Sequence, residues 1–444
     1  MIRSLINSIK PILNKVYIAV FHEPPGHKAQ FFAKSFGYLA LGEIIGSIIG
    51  FPVKIMAGRF LGPIEYGKFA LIMSITQFFI IPMVFGLSSG AQRYIPATED
   101  HDRQKTIVGF ISLFFLITTL ISTIFFIATK PLSLKIFGIS EAIFWWALLF
   151  SIATAAFYVF DAIVRSLKNF KLVYHGIVLN SFVTVTIFAV LLFWIDDKSF
   201  TSITLANVIA FASSILLYLG FLTHKAKFCL KIREIDAKKV THYSVLGIAG
   251  AVTGFLIGNT DRIFLNQILS LYWVGVYSVY INAANVFVGR FFQLFLNVYF
   301  PNISGEPNKK KIFNKLGKLF KVSMLPIFFF SVFSIWFIIW LFGKEFPVRL
   351  DLILLFSLNN CLYVFYQLYM WLLNSQGVRG MNQTLKILYF NTALNLVLFY
   401  VLISWIGIIG AIMATVTINL IFSVYFYCQV RRFIKNGLFI EKVE

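Results

Sequence analysis

The sequence is poor in charged residues, and above all in acidic ones. Only 13% of its 444 residues are charged, and 39 Lys and Arg stand against 18 Asp and Glu. This charged share is about half that of a soluble domain. Hydrophobic residues make up 59% of the chain, and 52 residues are phenylalanine. A soluble monomer cannot expose so much apolar surface, and so aromatic a chain is not disordered. The composition indicates an integral membrane protein.

Groups that bind metals or perform covalent chemistry are also scarce. Cys229, Cys361 and Cys428 lie far apart without a C-x-x-C pair, so we expect neither a disulfide framework nor a metal site. The sequence has no H-E-x-x-H and no Walker A motif. Gly86 to Gly90 matches G-x-S-x-G, but it ends an apolar run instead of joining a strand to a helix. We predict no cofactor, no bound metal and no enzymatic activity.

Long apolar runs predict twelve transmembrane helices, since one span needs about 20 such residues. They cover roughly 33–56, 66–90, 107–128, 142–164, 174–195, 201–223, 243–265, 272–300, 318–341, 350–374, 384–405 and 407–430. The segments between them then alternate between the two sides of the membrane. One side holds 29 Lys and Arg and the other holds 8, with Lys54 and Arg290 inside spans. Basic loops stay in the cytoplasm, so we expect both termini there.

A glycine pattern recurs halfway along the chain. Gly42, Gly46 and Gly50 form G-x-x-x-G-x-x-x-G, and the pattern returns 208 residues later at Gly250, Gly254 and Gly258. The same shift maps Lys54 onto Arg262 and Gly67 onto Gly275. These glycines would let helices pack closely or bend. Each half then contains six helices, an even number, so the halves share one orientation and are related by an axis along the membrane normal.

We therefore predict an all-α membrane protein of two six-helix bundles related by a pseudo-two-fold axis. The bundles would cover 33–223 and 243–430, joined by a basic cytoplasmic linker at 224–242. Cytoplasmic tails would cover 1–32 and 431–444. The apolar and basic pattern of the N-terminal tail fits an interfacial amphipathic helix and a simple basic tail equally well. No soluble domain presents a basic face, so nucleic acid is not an expected partner.

Ionisable groups inside or beside the spans mark the candidate site, because they are costly in a membrane unless paired or hydrated. The cations are Lys54, Arg59, Arg262 and Arg290, and the acids are Glu43, Asp161 and Asp261. The cations would bind an anionic group such as a phosphate, with Asn282 and Asn285 lining the same cavity. A carboxylate could bind a coupling H⁺ or Na⁺.

Simpler interpretations of these groups stay open. Lys54, Arg59 and Arg262 could instead reach towards the membrane interface. Asp161 and Arg165 are one helical turn apart and could form a local ion pair.

Two segments resemble a known family. Gly58-Arg-Phe-Leu-Gly-Pro-Ile-Glu-Tyr-Gly-Lys-Phe, then Gly86-Leu and Ala91-Gln-Arg-Tyr-Ile-Pro96, resemble the first-to-second helix region of Wzx-type polysaccharide flippases. These belong to the multidrug/oligosaccharidyl-lipid/polysaccharide exporter superfamily. Asp261-Arg262 with Gly275-Val-Tyr-Ser278 resembles the second-half counterpart. The resemblance implies alternating access by two bundles in the bacterial inner membrane. It implies that undecaprenyl-diphosphate-linked oligosaccharide moves from the cytoplasmic to the outer leaflet, driven by H⁺ or Na⁺ antiport. The pathway's polymerase and glycosyltransferases are the implied partners.

Two other functions stay open. The same fold exports drugs and other lipid-linked precursors, although a lipid II flippase typically has two extra helices and an exporter of cationic drugs a more acidic cavity. A membrane polymerase or lipid-dependent glycosyltransferase would normally have a long outer loop with clustered acidic or Arg residues. The longest outer loop predicted here, near 128–141, contains only Lys130, Lys135 and Glu141 as charged residues.

Overall fold

The computed structural model describes residues 27–98, 100–223, 234–290, 309–376 and 378–435, together with 292, 293, 295, 296, 299 and 303. The tails at 1–26 and 436–444 and most of the linker predicted at 224–242 lie outside the described residues. Within them, all regular structure is helical. The helices are α1 (His27–Val84), α2 (Leu87–Tyr94), α3 (His101–Ala128), α4 (Lys130–Phe137), α5 (Glu141–Ser166), α6 (Phe170–Phe193), α7 (Phe200–Phe221), α8 (Glu234–Gly258), α9 (Thr260–Ile268), α10 (Leu271–Ala284), α11 (Lys309–Phe342), α12 (Leu350–Asn374), α13 (Val378–Ile406) and α14 (Ile408–Lys435). A π-helical turn, Asn285–Gly289, follows α10.

The described residues contain eleven helical segments long and apolar enough to cross a membrane. The first, Gly37–Val84, has 48 residues. A straight helix of that length would measure about 72 Å, more than twice the hydrocarbon thickness of about 30 Å. Gly62 interrupts it with φ 75° and ψ 174°, a backbone conformation that only glycine adopts without strain. The segment therefore holds two spans, one on each side of Gly62, and the prediction of twelve spans is confirmed.

Polar side chains fix where several helices begin. The carboxylate of Asp100 accepts a hydrogen bond from the backbone N–H of Asp102 at the start of α3. Asn169 accepts one from Leu172 at the start of α6, and Ser199 accepts one from Thr201 at the start of α7. Such caps satisfy backbone donors that the first turn leaves without a partner.

Two of the predicted spans are interrupted by a local change of backbone geometry in the structure. The run 243–265 is split, because α8 ends at Gly258 and α9 begins at Thr260 after Asn259 leaves the helical conformation. The run 272–300 is α-helical to Ala284, has the π-helical turn at Asn285–Gly289, and is helical again at Arg290 and at the described residues 292, 293, 295, 296 and 299. An apolar run predicts that a segment lies in the membrane. It does not predict a local change of backbone geometry within that segment.

The chain divides into two compact units. The first unit contains the residues up to Lys54 together with Thr76–Leu134 and Ser140–Ala251. The second unit contains Ile55–Ile75, Lys135–Ile139 and the residues from Val252 onwards. The boundaries after Lys54 and Ile75 lie within α1, the one after Leu134 lies within α4, and the one after Ala251 lies within α8. These three helices therefore contribute to both units.

In the first unit, α5 packs against α7, α2 and α3, and α6 packs against α7. The rings of Phe79 and Phe126 stack with centroids 4.2 Å apart, and Phe144 meets Phe79 edge-on. The first glycine run lies against α6. A Cβ added at Gly46 would lie 2.9 Å from Ile177 Cγ2, so glycine is what permits this close approach.

In the second unit, α12 packs against α14, α11 and α13, and α10 packs against α9 and α11. Pairs of residues related by the 208-residue shift meet reciprocally here. A Cβ at Gly67 would lie 2.1 Å from the carbonyl oxygen of Leu271, and one at Gly275 would lie 1.9 Å from that of Pro63. Leu271 is the repeat equivalent of Pro63, as Gly275 is of Gly67. The contact is therefore symmetric, as a pseudo-two-fold axis requires.

Candidate functional site

A largely buried cation lies at the start of α9. Only 16% of the Arg262 side chain is exposed. Its Nε donates to Ser278 Oγ at 3.1 Å, and its Nη1 donates to the Gly258 carbonyl at 3.3 Å and to Ser74 Oγ at 3.5 Å. The Nη2 group donates to none of the described residues. Because an arginine carries five N–H donors, Arg262 is held in one orientation while keeping two donors for an anion.

Asp261 is the acidic residue beside Arg262. Its side chain is 8% exposed, and its Oδ1 lies 3.9 Å from Arg262 Nη1. Oδ1 also accepts a hydrogen bond from the Arg262 backbone N–H at 2.8 Å. Tyr277 lies beside the Asp261 carboxylate and beside Thr415 of α14. A buried charge is tolerated only with such partners.

Tyr66 and Asn282 extend this arrangement. Asn282 Nδ2 donates to the Tyr66 hydroxyl at 3.2 Å and to the Ser278 carbonyl at 2.9 Å. The ring of Tyr66 is fixed edge-on between Phe342 and Phe346, with centroids 5.9 and 6.2 Å away. We define the buried polar cluster as Tyr66, Ser74, Asp261, Arg262, Tyr277, Ser278, Asn282 and Thr415. All eight residues belong to the second unit.

Of the residues predicted for the site, the buried polar cluster contains Asp261, Arg262 and Asn282. Arg59 is exposed on α1, with its Cγ 3.5 Å from where a Cβ of Gly343 would lie. Asn285 and Arg290 are exposed at the π-helical turn and its end.

The remaining predicted residues lie in the first unit. Lys54 is half-buried and Glu43 is exposed, both on α1. Asp161 is held by two groups: Arg165 Nε donates to its Oδ2 at 2.5 Å, and the Tyr218 hydroxyl donates to its Oδ1 at 3.1 Å. The local pair that the spacing allowed is thus present.

The two glycine runs have different surroundings. A Cβ at Gly42 would lie 3.4 Å from Tyr174 of α6, and a Cβ at Gly50 would lie 3.9 Å from Ser181 Oγ. No described atom lies within 4 Å of the corresponding positions at Gly250, Gly254 and Gly258. The same sequence pattern therefore lies against α6 in the first run, whereas no described neighbour packs against the second.

Sequence reasoning missed the hydroxyl groups that hold Arg262 and Asp261. Ser74, Tyr277 and Thr415 were not singled out, although each interrupts an apolar run. It also missed Asn391 and Asn395 on α13. Both are buried, and their side-chain oxygens have no described hydrogen-bond partner. Their spacing of four residues within an apolar run was the available signal.

Comparison with known proteins places the chain in a family. The sequence model of the polysaccharide biosynthesis protein family matches residues 32–305, more than half of the chain. No curated protein matches the sequence. The structure is similar to an inward-facing multidrug resistance MATE family transporter of the MOP superfamily, with a TM-score of 0.66 and 15% identity over 90% of this chain and 98% of that one. It is also similar to a MOP superfamily transporter from Pyrococcus furiosus, with a TM-score of 0.61 and 15% identity over 90% and 96% of the two chains. A Vibrio cholerae MATE transporter matches with a TM-score of 0.56 and 14% identity over 93% and 98%. The expected resemblance is confirmed: the chain is a multi-pass membrane protein of the polysaccharide biosynthesis protein family and has the fold of MOP superfamily transporters.

Proposed function

We propose that this protein is a flippase for polysaccharide biosynthesis. It moves undecaprenyl-diphosphate-linked oligosaccharide repeat units from the cytoplasmic to the outer leaflet by alternating access. The family match and the transporter fold support this role. The observation that carries it is Arg262, a nearly buried cation whose Nη2 donates to none of the described residues.

The chemistry of Arg262 suits a diphosphate. A guanidinium presents paired donors that match two phosphate oxygens. Ser278 and the Gly258 carbonyl hold the group, so little side-chain freedom remains to be lost on binding. In a poorly hydrated environment its attraction for an anion is stronger than at a wet surface.

Three further cations complete the proposed substrate contacts. Lys54, Arg59 and Arg290 contact the diphosphate or acidic sugars during transfer, and Asn282 and Asn285 hydrogen-bond sugar hydroxyls. The glycines at 42, 46 and 50 and at 250, 254 and 258 serve helix packing or bending. We place the protein in the bacterial inner membrane with both termini cytoplasmic, acting beside the polymerase and glycosyltransferases of its pathway. It performs no covalent chemistry.

Transport is coupled to H⁺ or Na⁺ in this proposal, with Asp261, Glu43 and Asp161 as the candidate ion sites. Asp261 is favoured because it is buried beside Arg262. Neutralising Asp261 would add one unit of positive charge to the surroundings of Arg262. Cation binding at Asp261 and anion binding at Arg262 are then thermodynamically linked.

Export of a drug or another lipid-linked precursor is the second candidate, because solved structures of this fold include multidrug transporters. A likeness of 15% identity shows only the fold. A cationic drug would meet repulsion at Arg262 and in a chain of net charge +21. The buried polar cluster favours an anionic substrate.

The test is complementation of polysaccharide export in a strain that lacks this protein. Arg262→Ala should abolish export, and Arg262→Lys should restore only part of it, because lysine keeps the charge and loses the paired donors. Arg432→Ala, an exposed arginine in the last turn of α14, serves as the control and should export normally.

A purely structural role for Arg262 requires a separate test. Removing the cation alone leaves Asp261 as a buried carboxylate without its charged neighbour, which is destabilising. The double variant Asp261→Asn/Arg262→Ala removes both charges. If membrane levels recover in the double variant and its export stays absent while Asp261→Asn alone still exports, Arg262 serves the substrate. Recovery of export in the double variant would contradict the proposal.

A further inference from the structure

A concave basic surface lies on the first turns of α11, apart from the buried polar cluster. The cavity has a volume of about 370 Å³ and is lined by Lys310, Lys311, Asn314, Lys315 and Lys318. None of these described lining residues is acidic. We call this surface the lysine ridge.

The lysine ridge is held in place by the opposite face of the same helix. Leu316 is part of the core of the second unit, and Ile312 and Phe313 pack against that core. The Phe313 ring contacts Tyr369 of α12 and Tyr427 of α14, with centroids 5.7 and 5.4 Å away. Lys309 is buried and donates to the Ile303 carbonyl. The ridge is therefore a fixed surface and its lysines project outwards.

The positions of these lysines are electrostatically unfavourable for the helix. The N-terminal end of a helix carries partial positive charge, so cations there are unfavourable. The first turn of α11 contains no acidic residue and begins with Lys309, Lys310 and Lys311. Helix N–H groups and lysines thus add to one positive field. An anion bound at the ridge would relieve this repulsion.

The ridge continues into a surface that faces lipid. With about 100° per residue, its lining residues fall on one arc of the helix. The exposed apolar residues further along α11 fall on the same arc: Val322, Leu325, Phe329, Phe333, Trp336 and Trp340. Val322 begins the membrane-spanning part of α11 and is 75% exposed. Lys318 precedes it by about 6 Å and Lys310 by about 18 Å, at 1.5 Å per residue.

We propose that the lysine ridge binds the headgroup of an anionic phospholipid, whose acyl chains lie along the exposed apolar face of α11. The phosphate of a phospholipid lies at the edge of the hydrocarbon layer, at the depth where the ridge meets Val322. Clusters of four or more Lys beside a membrane span attract anionic lipids in this way. The ridge lies in the segment 301–321 that the charge bias assigns to the cytoplasm, so the lipid belongs to that leaflet. This site goes beyond the proposed transport function.

The test measures phosphatidylglycerol binding to the purified full-length protein by native mass spectrometry, with the zwitterionic phosphatidylcholine, which has no net charge, as the reference. The variant is Lys310→Gln/Lys315→Gln/Lys318→Gln. Its matched control is Arg431→Gln/Arg432→Gln/Lys435→Gln, which removes three exposed cations from the end of α14. We expect the α11 variant to bind phosphatidylglycerol roughly 10- to 100-fold more weakly. The control variant should bind within about twofold of the wild type, and phosphatidylcholine binding should change in neither variant.

Four outcomes would overturn the proposal. Equal losses in the two variants would mean that total charge, and not the ridge, attracts the lipid. No loss in the α11 variant would place the lipid elsewhere. Undecaprenyl diphosphate displacing phosphatidylglycerol from the wild type at a several-fold lower concentration would identify the ridge as a substrate contact. Inorganic diphosphate displacing it equally well would mean that the apolar face contributes nothing to the site.

Discussion

The contact between Gly67 and Gly275 allows a quantitative prediction. In Gly275→Ala, the new Cβ would lie 1.9 Å from the Pro63 carbonyl oxygen and 2.9 Å from its carbon. Both are backbone atoms, so no side-chain rotation relieves the clash. The two segments must separate by about 1.5 Å to reach ordinary contact. Overpacking of this kind costs about 1–3 kcal/mol, and the melting temperature should fall by about 1–3 °C in a chain of this length.

The assay is thermal unfolding of the purified protein in detergent. Gly250→Ala is the matched control, because it is also a helical glycine and no described atom lies within 4 Å of its Cβ position. It should leave the melting temperature unchanged or raise it, since alanine favours a helix by about 0.8–1.0 kcal/mol over glycine.

A double-mutant cycle tests the reciprocity of the contact. Gly67→Ala places its Cβ 2.1 Å from the Leu271 carbonyl oxygen in the same contact. Once one substitution has separated the segments, the second should cost less, so the double variant should lose less stability than the sum of the single ones. Additive losses, or equal stability of Gly275→Ala and Gly250→Ala, would refute the symmetric contact.

Three further predictions concern single polar groups. Arg290→Ala should lower polysaccharide export about 10- to 100-fold, the value of one hydrogen bond to a charged group, with unchanged membrane levels on immunoblots; normal export would remove Arg290 from the substrate contacts. Asp261→Asn should abolish the dependence of transport on an imposed H⁺ or Na⁺ gradient, and Glu43→Gln should weaken it less, because Glu43 is exposed; gradient dependence that persists in both would exclude them as ion sites. Tyr218→Phe removes a hydroxyl that donates to the Asp161 carboxylate and should lower the free energy of unfolding by about 1.5–3 kcal/mol while export stays normal; lost export would give Asp161 a transport role.

The parts of the fold that depend on local composition could be predicted from the sequence. Continuous apolar runs predicted twelve spans because membrane thickness sets their length. The 208-residue shift related Gly67 to Gly275 before any contact was known. The interruption at Gly62 was less evident, since the sequence suggested a loop between 56 and 66 and the structure keeps helix on both sides of one residue.

The candidate site was only partly accessible from the sequence. Asp261 and Arg262 stood out because charge is costly in an apolar run. Their neighbours did not, because Ser74 and Tyr66 reach the site across 188 and 216 residues of chain. Hydrogen bonds over such separations depend on tertiary packing, which local patterns do not encode. A glycine run likewise indicates that another helix could approach closely, but it does not show that one does. No described atom lies within 4 Å of the Cβ position at Gly250.

Transfer of a lipid-linked oligosaccharide across the bilayer of reconstituted vesicles is a direct test of the proposed flippase activity. The protein is reconstituted into liposomes that contain undecaprenyl-diphosphate-linked oligosaccharide in both leaflets, and a sugar-modifying enzyme is added outside. Wild-type protein should make more than half of the lipid-linked sugar accessible, while vesicles without protein, or with Arg262→Ala, should stop at the outer-leaflet half. The proposed flippase role is contradicted if wild-type vesicles also stop at that half, or if Arg262→Ala transfers the lipid as fast as the wild type.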